Sequence, residues 1–169
     1  PPMKRTLIAA TCIAAFSTAG GAQDGLGVTA TAHGETLVNN IIGTGVTVTP
    51  GSVNYIGVAT QAGTFTGGLS AGIGIDEGII LTSGDALLAP GPNDNDGASA
   101  SLGTPGDAAL TAESGEITND ANVLEFMFET DTSDLFFNFV FASEEYNEFV
   151  FQFNDPFAFF LDGVNIALL

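Results

Sequence analysis

Two acidic stretches of this 169-residue chain carry oxygen ligands at close spacing. In the first, the carboxylates of Glu144, Glu145 and Glu148 fall within five consecutive positions between apolar segments. Carboxylates this close repel one another unless water solvates them or a cation bridges them. Ca²⁺ takes roughly six to eight oxygen ligands from carboxylates, amides and carbonyls. We therefore predict a calcium site at these three residues, with Asn154 and Asp155 returning beside them as further ligands.

The second acidic stretch, at 93–97, alternates amide and carboxylate side chains and ends on glycine. Asp94 and Asp96 would supply the carboxylates of a calcium loop. The stretch departs from an EF-hand, because Pro92 stands at the first ligand position and Gly103 stands where a bidentate Glu belongs. For both stretches the alternative is an acidic loop that only water solvates.

The charge of the chain excludes several classes of partner. There are 20 acidic and two basic residues, a formal net charge of −18, and both basic residues, Lys4 and Arg5, lie near the N-terminus. Nucleic acids and anionic lipids need Lys and Arg to neutralise phosphate, so neither is an expected partner. Phosphate-transferring enzymes are disfavoured for the same reason. Adaptation to high salt, which screens like charges over about 3 Å at 1 M, is a third explanation of the acidity.

Sets of catalytic residues are poorly represented. Nucleophilic triads and catalytic zinc sites need imidazoles, and His33 is the one histidine of the chain. Adjacent side chains of a strand point to opposite faces, so Glu144 and Glu145 would not form a catalytic carboxylate pair with each other. We predict that the protein is not an enzyme. The alternative that the composition leaves open is a carboxylate-based hydrolase.

The N-terminal segment, 1–22, has the pattern of a secretory signal peptide. Two prolines precede Met3, Lys4 and Arg5 form the basic start, and the apolar run at 7–16 is too short to span a bilayer. Small residues at Gly20 and Ala22 predict cleavage after Ala22. We therefore expect an exported protein, extracellular or at the cell surface, whose mature chain has no integral membrane span.

The remainder, 23–169, has the pattern of a single all-β domain. Apolar residues recur at every second position in four segments, 124–129, 135–142, 149–153 and 157–161. This period predicts strands of an antiparallel β-sandwich, jelly-roll-like in architecture.

Two further elements are predicted before these strands. One short helix is expected near 35–42, and a long loop near 85–119 includes a helical turn around 107–112. The chain ends in the apolar run 166–169, so we expect the domain to be incomplete at this C-terminus.

Several runs together resemble one family of bacterial exported proteins, the choice-of-anchor L domain family. They are LVNNIIGTGVTV at 37–48, GTFTGG at 63–68, GIGIDEGIILTSG at 72–84, NDANVLEF at 119–126, FVFASEEYNEF at 139–149 and FNDPFAFFL at 153–161. The order and spacing of these runs match from residue 37 to residue 169. The resemblance implies a surface-associated extracellular protein and supplies no catalytic residues. The route of surface attachment varies within the family.

These observations predict a non-enzymatic extracellular or cell-surface module for adhesion or recognition, stabilised by calcium. The alternative is a carbohydrate-binding module or a polysaccharide-acting hydrolase. Sugar-binding platforms usually present exposed aromatic side chains, and this chain has no Trp and two Tyr, Tyr55 and Tyr146. Sugar binding therefore ranks below protein or surface adhesion, and the identity of the ligand stays open.

Overall fold

The computed structural model of the chain describes residues 4–10, 25–91, 100–143, 149, 152 and 155–167, with the backbone alone for 4–10. The strands are β1 Lys4–Ala10, β2 Gly27–Ala30, β3 Val46–Val48, β4 Asn54–Ile56, β5 Ala62–Thr66, β6 Gly78–Leu81, β7 Val123–Thr130, β8 Ala158–Leu161 and β9 Val164–Asn165. The α-helices are α1 Gly34–Ile41 and α2 Ala108–Ser114, and single 3₁₀ turns lie at Ala59–Gln61 and Ala86–Leu88.

These strands form two antiparallel sheets. The six-stranded sheet has the order β3-β7-β1-β8-β9, and β4 lies beside β3 on the same edge of β7. The three-stranded sheet has the order β2-β5-β6. In that sheet Gly63 lets β5 approach β2 closely, because a Cβ at this position would lie 2.6 Å from the Thr29 carbonyl oxygen. The predicted all-β, antiparallel fold is confirmed, while the sandwich arrangement and its jelly-roll form stay predictions.

β7 is the longest strand of the six-stranded sheet, and its side chains follow the predicted alternation. Leu124, Phe126 and Phe128 are buried on one face, while Met127 on the other face is exposed. Complete burial of side chains of this size stabilises the fold by about 1.5–3 kcal/mol each. The three residues therefore make β7 the centre of the main core.

The main core joins both sheets to α1. Leu37 and Val38 of α1 pack with Ala62 and Leu81 of the smaller sheet and with the buried face of β7. The helix forms where the sequence predicted it, one residue earlier at each end, and Glu35 in its first turn suits the positive end of the helix dipole. A helix and two sheets thus share one apolar interior.

The opposite face of the six-stranded sheet has a second, smaller core. Leu110 of α2 packs there with Val123 of β7 and with Ala158 and Phe160 of β8. The helix begins at Asp107, whose side chain accepts hydrogen bonds from the backbone N–H groups of residues 109 and 110 at 2.8 and 3.0 Å. This confirms the predicted helical turn near 107–112, and the helix covers β8 and the start of β7 on their second face.

The predicted strand at 135–142 is wrong. These residues are irregular, although the side chains of Phe137, Phe139 and Phe141 keep to one side and stack on Phe157 and on β8. The alternation correctly indicated which rings share a face. A β-strand also needs a neighbouring strand at hydrogen-bonding distance, and the alternation gives no information about such a neighbour.

The N-terminal residues 4–10 form β1, where the sequence predicted the start of a signal peptide. The backbone of this segment lies in the interior of the six-stranded sheet, between β7 and β8. Cleavage after Ala22 stays a prediction. Neither helix in the described ranges is long and apolar enough to cross a membrane.

Candidate functional site

Most of the predicted calcium ligands lie outside the described residues. The predicted ligands outside the described residues are Glu144, Glu145, Glu148 and Asn154 of the first stretch and Asp94 and Asp96 of the second. Asp155 is described and half-buried. The described ranges contain no group of three His, Cys, Asp or Glu side chains arranged to hold a metal ion. The calcium site therefore stays a prediction.

Asp155 does return to the start of the acidic stretch. The hydroxyl of Ser143 donates a hydrogen bond of 2.9 Å to Oδ2 of Asp155, twelve residues further along the chain. Because Ser143 directly precedes Glu144, this contact brings one predicted ligand next to the start of the run that holds three others.

An apolar cavity of about 780 Å³ opens between the two sheets. Its wall includes Phe126 and Phe128 of β7, Ile79 of β6 and the end of α1 at Ile41. Glu77 and Asp134 are acidic residues in its lining, and both are exposed. The cavity is thus an apolar site with negative charge close to it.

A row of stacked phenylalanines forms one side of this cavity. The ring centroids of Phe137 and Phe159 lie 4.0 Å apart, those of Phe139 and Phe157 5.1 Å apart, and those of Phe137 and Phe139 5.7 Å apart. Stacked aromatic pairs contribute about 0.5–1.5 kcal/mol beyond the area they bury. The rings hold the irregular segment 135–141 against β8.

The same segment leaves apolar side chains in contact with solvent. Phe136 is 91% exposed, and Phe139, Val140 and Phe141 are 39%, 38% and 43% exposed. We call these four residues the Phe rim. Contiguous exposed apolar surface is unusual in soluble domains and marks sites of interaction. The predicted strand at 135–142 gave no indication of this exposure, so the rim was not predicted.

A buried polar network lies at the start of β7. The Gln61 side chain donates from Nε2 to the carbonyl oxygen of Asp120 at 2.8 Å. Nδ2 of Asn122 donates to the backbone carbonyl oxygens of Gln61 and Thr82, and its Oδ1 has no hydrogen-bond partner among the described residues. Gln61 and Asn122 are fully buried. The network therefore ties the smaller sheet to the beginning of β7.

The Asp120 carboxylate holds the loop before α2. It accepts hydrogen bonds from the backbone N–H of Leu102 at 3.1 Å and from the backbone N–H and hydroxyl of Thr104 at 2.5 and 2.9 Å. Burial alone would raise the pKa of Asp120, but these hydrogen bonds and one from Gly103 outweigh it and lower the pKa. Asp120 has a left-handed backbone conformation, with φ 51°. Asp120 and Asn122 both lie in the run NDANVLEF at 119–126, whose pattern does not predict a buried polar network.

Tyr55 on β4 adjoins the network. Its hydroxyl donates to the carbonyl oxygen of Val58 at 3.0 Å. Burial raises the pKa of Tyr55 to about 12, against a smaller lowering from a hydrogen bond with the Asn122 side chain. His33 is exposed and immediately precedes α1.

Comparison with known proteins gives one match. The family model of the choice-of-anchor L domain matches residues 27–169, which covers every strand after β1 and both helices. No curated protein and no solved structure matches the chain. The chain belongs to the choice-of-anchor L domain family.

Proposed function

We propose that this domain is a non-enzymatic extracellular module for adhesion or recognition, which contacts a protein partner through the Phe rim and the apolar cavity behind it. Membership in the choice-of-anchor L family indicates a surface-associated protein. The observation that carries the proposal is the exposure of the rim, since Phe136 is 91% exposed at the edge of an apolar cavity.

Charge favours a basic and apolar partner. Residues 6–169 contain no Lys or Arg, and the acidic Glu77 and Asp134 lie in the cavity lining. An acidic partner would be repelled, whereas a segment with apolar side chains flanked by Lys or Arg would complement both features of the site. Such a contact weakens as salt rises, because the exposed charges are screened.

A peptide-binding measurement tests this proposal. The probe is a fluorescein-labelled 15-residue peptide of alternating Leu and Lys, and the matched probe replaces each Lys by Glu. We expect the Lys peptide to bind the full chain and the Glu peptide to bind at least tenfold more weakly, by fluorescence anisotropy in low salt. Phe136→Ser should weaken binding of the Lys peptide at least fivefold.

The matched control variant is Ile117→Ser. Ile117 is 87% exposed, close to the exposure of Phe136, and does not line the cavity. Equal losses in the two variants, or equal binding of the two peptides, would contradict the proposal. A glycan-array signal without peptide binding would instead favour the carbohydrate-binding alternative.

Stabilisation by calcium is the second part of the proposal. The hydrogen bond from Ser143 to Asp155 supports it, because this contact places a carboxylate beside the start of the run with Glu144, Glu145 and Glu148. A cation at this position would relieve repulsion that no nearby Lys or Arg in the sequence relieves.

A further inference from the structure

β1 occupies an interior position of the six-stranded sheet. All seven of its residues pair with β7, from Lys4 opposite Glu129 to Ala10 opposite Val123. Its last four residues, Leu7 to Ala10, also pair with β8, from Leu161 to Ala158. β1 is therefore the strand that joins the β8–β9 hairpin to β7.

The position of β1 defines a gap that fits one strand. β7 and β8 both run antiparallel to β1, so they are parallel to each other and lie two strand spacings apart, about 10 Å. The other edge of β7 is taken by β3 and β4, and the other edge of β8 by β9. Without β1, two rows of backbone N–H and C=O groups would face each other across this gap. Such edges readily accept another strand.

The strand in this gap is also the part of the chain that the sequence predicts to be removed. Lys4–Ala10 lies inside the predicted signal peptide, and cleavage after Ala22 would separate β1 from the rest of the domain. We propose that the gap between β7 and β8 is a strand-binding groove, occupied by Lys4–Ala10 in the unprocessed chain and open afterwards to an extended peptide of the same chemistry.

The chemistry of that peptide follows from the neighbours of β1. Beside Leu7 to Ala10, β8 and the first half of β7 contribute to both cores, with Phe126 in the main core and Val123, Ala158 and Phe160 in the second core. A strand between them must be apolar at every position rather than at alternate ones. The sequence Leu7 to Ala10 meets this requirement.

One end of the groove favours a positive charge. Lys4 stands in register with Glu129, and the chain has no other basic residue beyond Arg5. The expected occupant is therefore an extended polypeptide segment with a basic start followed by about four consecutive apolar residues. A proline inside the apolar part is excluded, because it would remove a ladder N–H.

Trypsin tests whether β1 occupies the groove, because Lys4 and Arg5 provide the only tryptic sites of the chain. Proteases need an extended, unpaired substrate, so cleavage after Arg5 in the full chain should be slow. The variant Ile8→Pro, which breaks the pairing with β7 and β8, should be cut at least tenfold faster. Ala15→Pro, outside β1, is the control and should leave the rate unchanged. Equal rates in all three proteins would overturn the proposal.

Strand exchange tests whether the groove accepts a peptide. A site-specific protease sequence placed at Ala22–Gln23 in the full chain allows the folded protein to be cut at the predicted processing site. A labelled peptide with the sequence of residues 3–11 is then added, and a version with Pro in place of Ile8 serves as the control. We expect saturable incorporation of the first peptide, at least tenfold weaker binding of the second, and slowed amide exchange in β7 and β8.

Two results of the strand-exchange experiment would overturn the proposal of a strand-binding groove. One is a leader fragment that stays bound and never exchanges, since β1 would then be a permanent strand. The other is loss of the fragment with β7 and β8 amides still protected, since the gap would then close by direct pairing. Binding at this groove is separate from binding at the Phe rim, so Phe136→Ser should leave peptide incorporation unchanged.

Discussion

The rings of Phe137 and Phe159 lie 4.0 Å apart between centroids, with their planes 4° from parallel. Phe159 belongs to β8, whereas Phe137 belongs to a segment without strand pairing. Ring contacts, together with the packing of Leu135 on the main core, therefore attach residues 135–141 to the sheets. The Phe rim belongs to this segment, which also forms one side of the cavity, so the stack positions part of the candidate binding site.

Phe137→Ala should destabilise the protein more than the same change at its neighbour. Removing a fully buried Phe costs about 3–5 kcal/mol, and for half-buried Phe137 we expect about 2 kcal/mol in the free energy of unfolding. Phe136→Ala, at a 91% exposed side chain, should change it by less than about 0.5 kcal/mol. Urea denaturation measures both values. Equal effects would show that the stack does not hold the segment.

Asn122→Asp should be among the most destabilising single-atom changes in this chain. The Nδ2 group that donates to the Gln61 and Thr82 carbonyl oxygens would become a carboxyl oxygen facing two acceptors. An uncompensated buried charge costs about 3–5 kcal/mol. The exposed Asn40→Asp is the control, with an expected effect below about 0.5 kcal/mol.

The pH dependence of the stability of Asn122→Asp separates the effect of the new charge from the effect of altered packing. Burial favours the protonated form of the new carboxyl group, so its pKa should lie higher in the folded than in the unfolded state. The stability of the variant relative to wild type should therefore increase as the pH falls from 7 towards 4. A penalty independent of pH would assign the effect to packing alone.

Asp120 should produce the opposite pH dependence in the wild-type protein. Its pKa is lower in the folded state than its ordinary value of 3.8, because the hydrogen bonds from Thr104 and Leu102 outweigh burial. Its contribution to stability is therefore present above pH 3.8 and is lost as the pH falls through the folded-state pKa. Asp120→Asn should be about 1–2 kcal/mol less stable at pH 6, with a smaller difference at pH 3.

The matched control for Asp120 is Asp131→Asn, at an exposed position in the turn after β7. Urea denaturation at both pH values should show almost no difference between this variant and the wild-type protein. A deficit of Asp120→Asn that stayed constant between pH 6 and pH 3 would show that the carboxylate charge does not support the loop.

Tyr55 should ionise late in an alkaline titration. Burial raises its pKa to about 12, from an ordinary value of 10.0. The contribution of the neutral Tyr55 hydroxyl to the stability of the fold is fully present below pH 10 and is lost as the pH rises through about 12. Absorbance at 295 nm follows the titration without interference, because the chain has no Trp. The step near pH 12 should disappear in Tyr55→Phe, which leaves Tyr146 as the remaining tyrosine.

The central strand and the first helix could be predicted because periodicity directly reports burial on one face. Leu124, Phe126 and Phe128 alternate with less buried residues, and Leu37 and Val38 fall on one stripe of α1. The same signal failed at 135–142. Alternation there identified rings on a common side, but strand pairing depends on a distant backbone that the local sequence does not encode.

Two other elements could not be predicted, for different physical reasons. An unbroken apolar run suits both a signal peptide and a strand buried on both faces, so Leu7 to Ala10 gave no strand signal of its own. Gln61 and Asn122 flank strands as ordinary polar residues do. Their burial depends on the approach of the smaller sheet to β7, which appears in no local pattern.

Calcium should raise the melting temperature of the full chain beyond the effect of ionic strength. A cation bound only by the native state at 100 times its dissociation constant adds about 2.7 kcal/mol to stability. For a domain of this size that corresponds to roughly 5–10 °C in Tm. The measurement is a thermal melt in millimolar calcium against chelator, with sodium chloride adjusted to equal ionic strength. Equal melting temperatures would contradict calcium binding and leave adaptation to high salt as the explanation of the acidity.

Charge-neutralising variants locate the predicted calcium site. Glu145→Gln and Asp155→Asn remove one charge each from the first acidic stretch, while Asp94→Asn and Asp96→Asn do so in the second. Because the side-chain amide oxygen introduced by Asp155→Asn can still accept from the Ser143 hydroxyl, this variant tests the charge rather than the hydrogen bond. A calcium-dependent rise lost only in the first pair places the site beside Ser143. A rise lost only in the second pair moves it to the loop at 93–97, and a rise that survives in all four variants rules out both stretches.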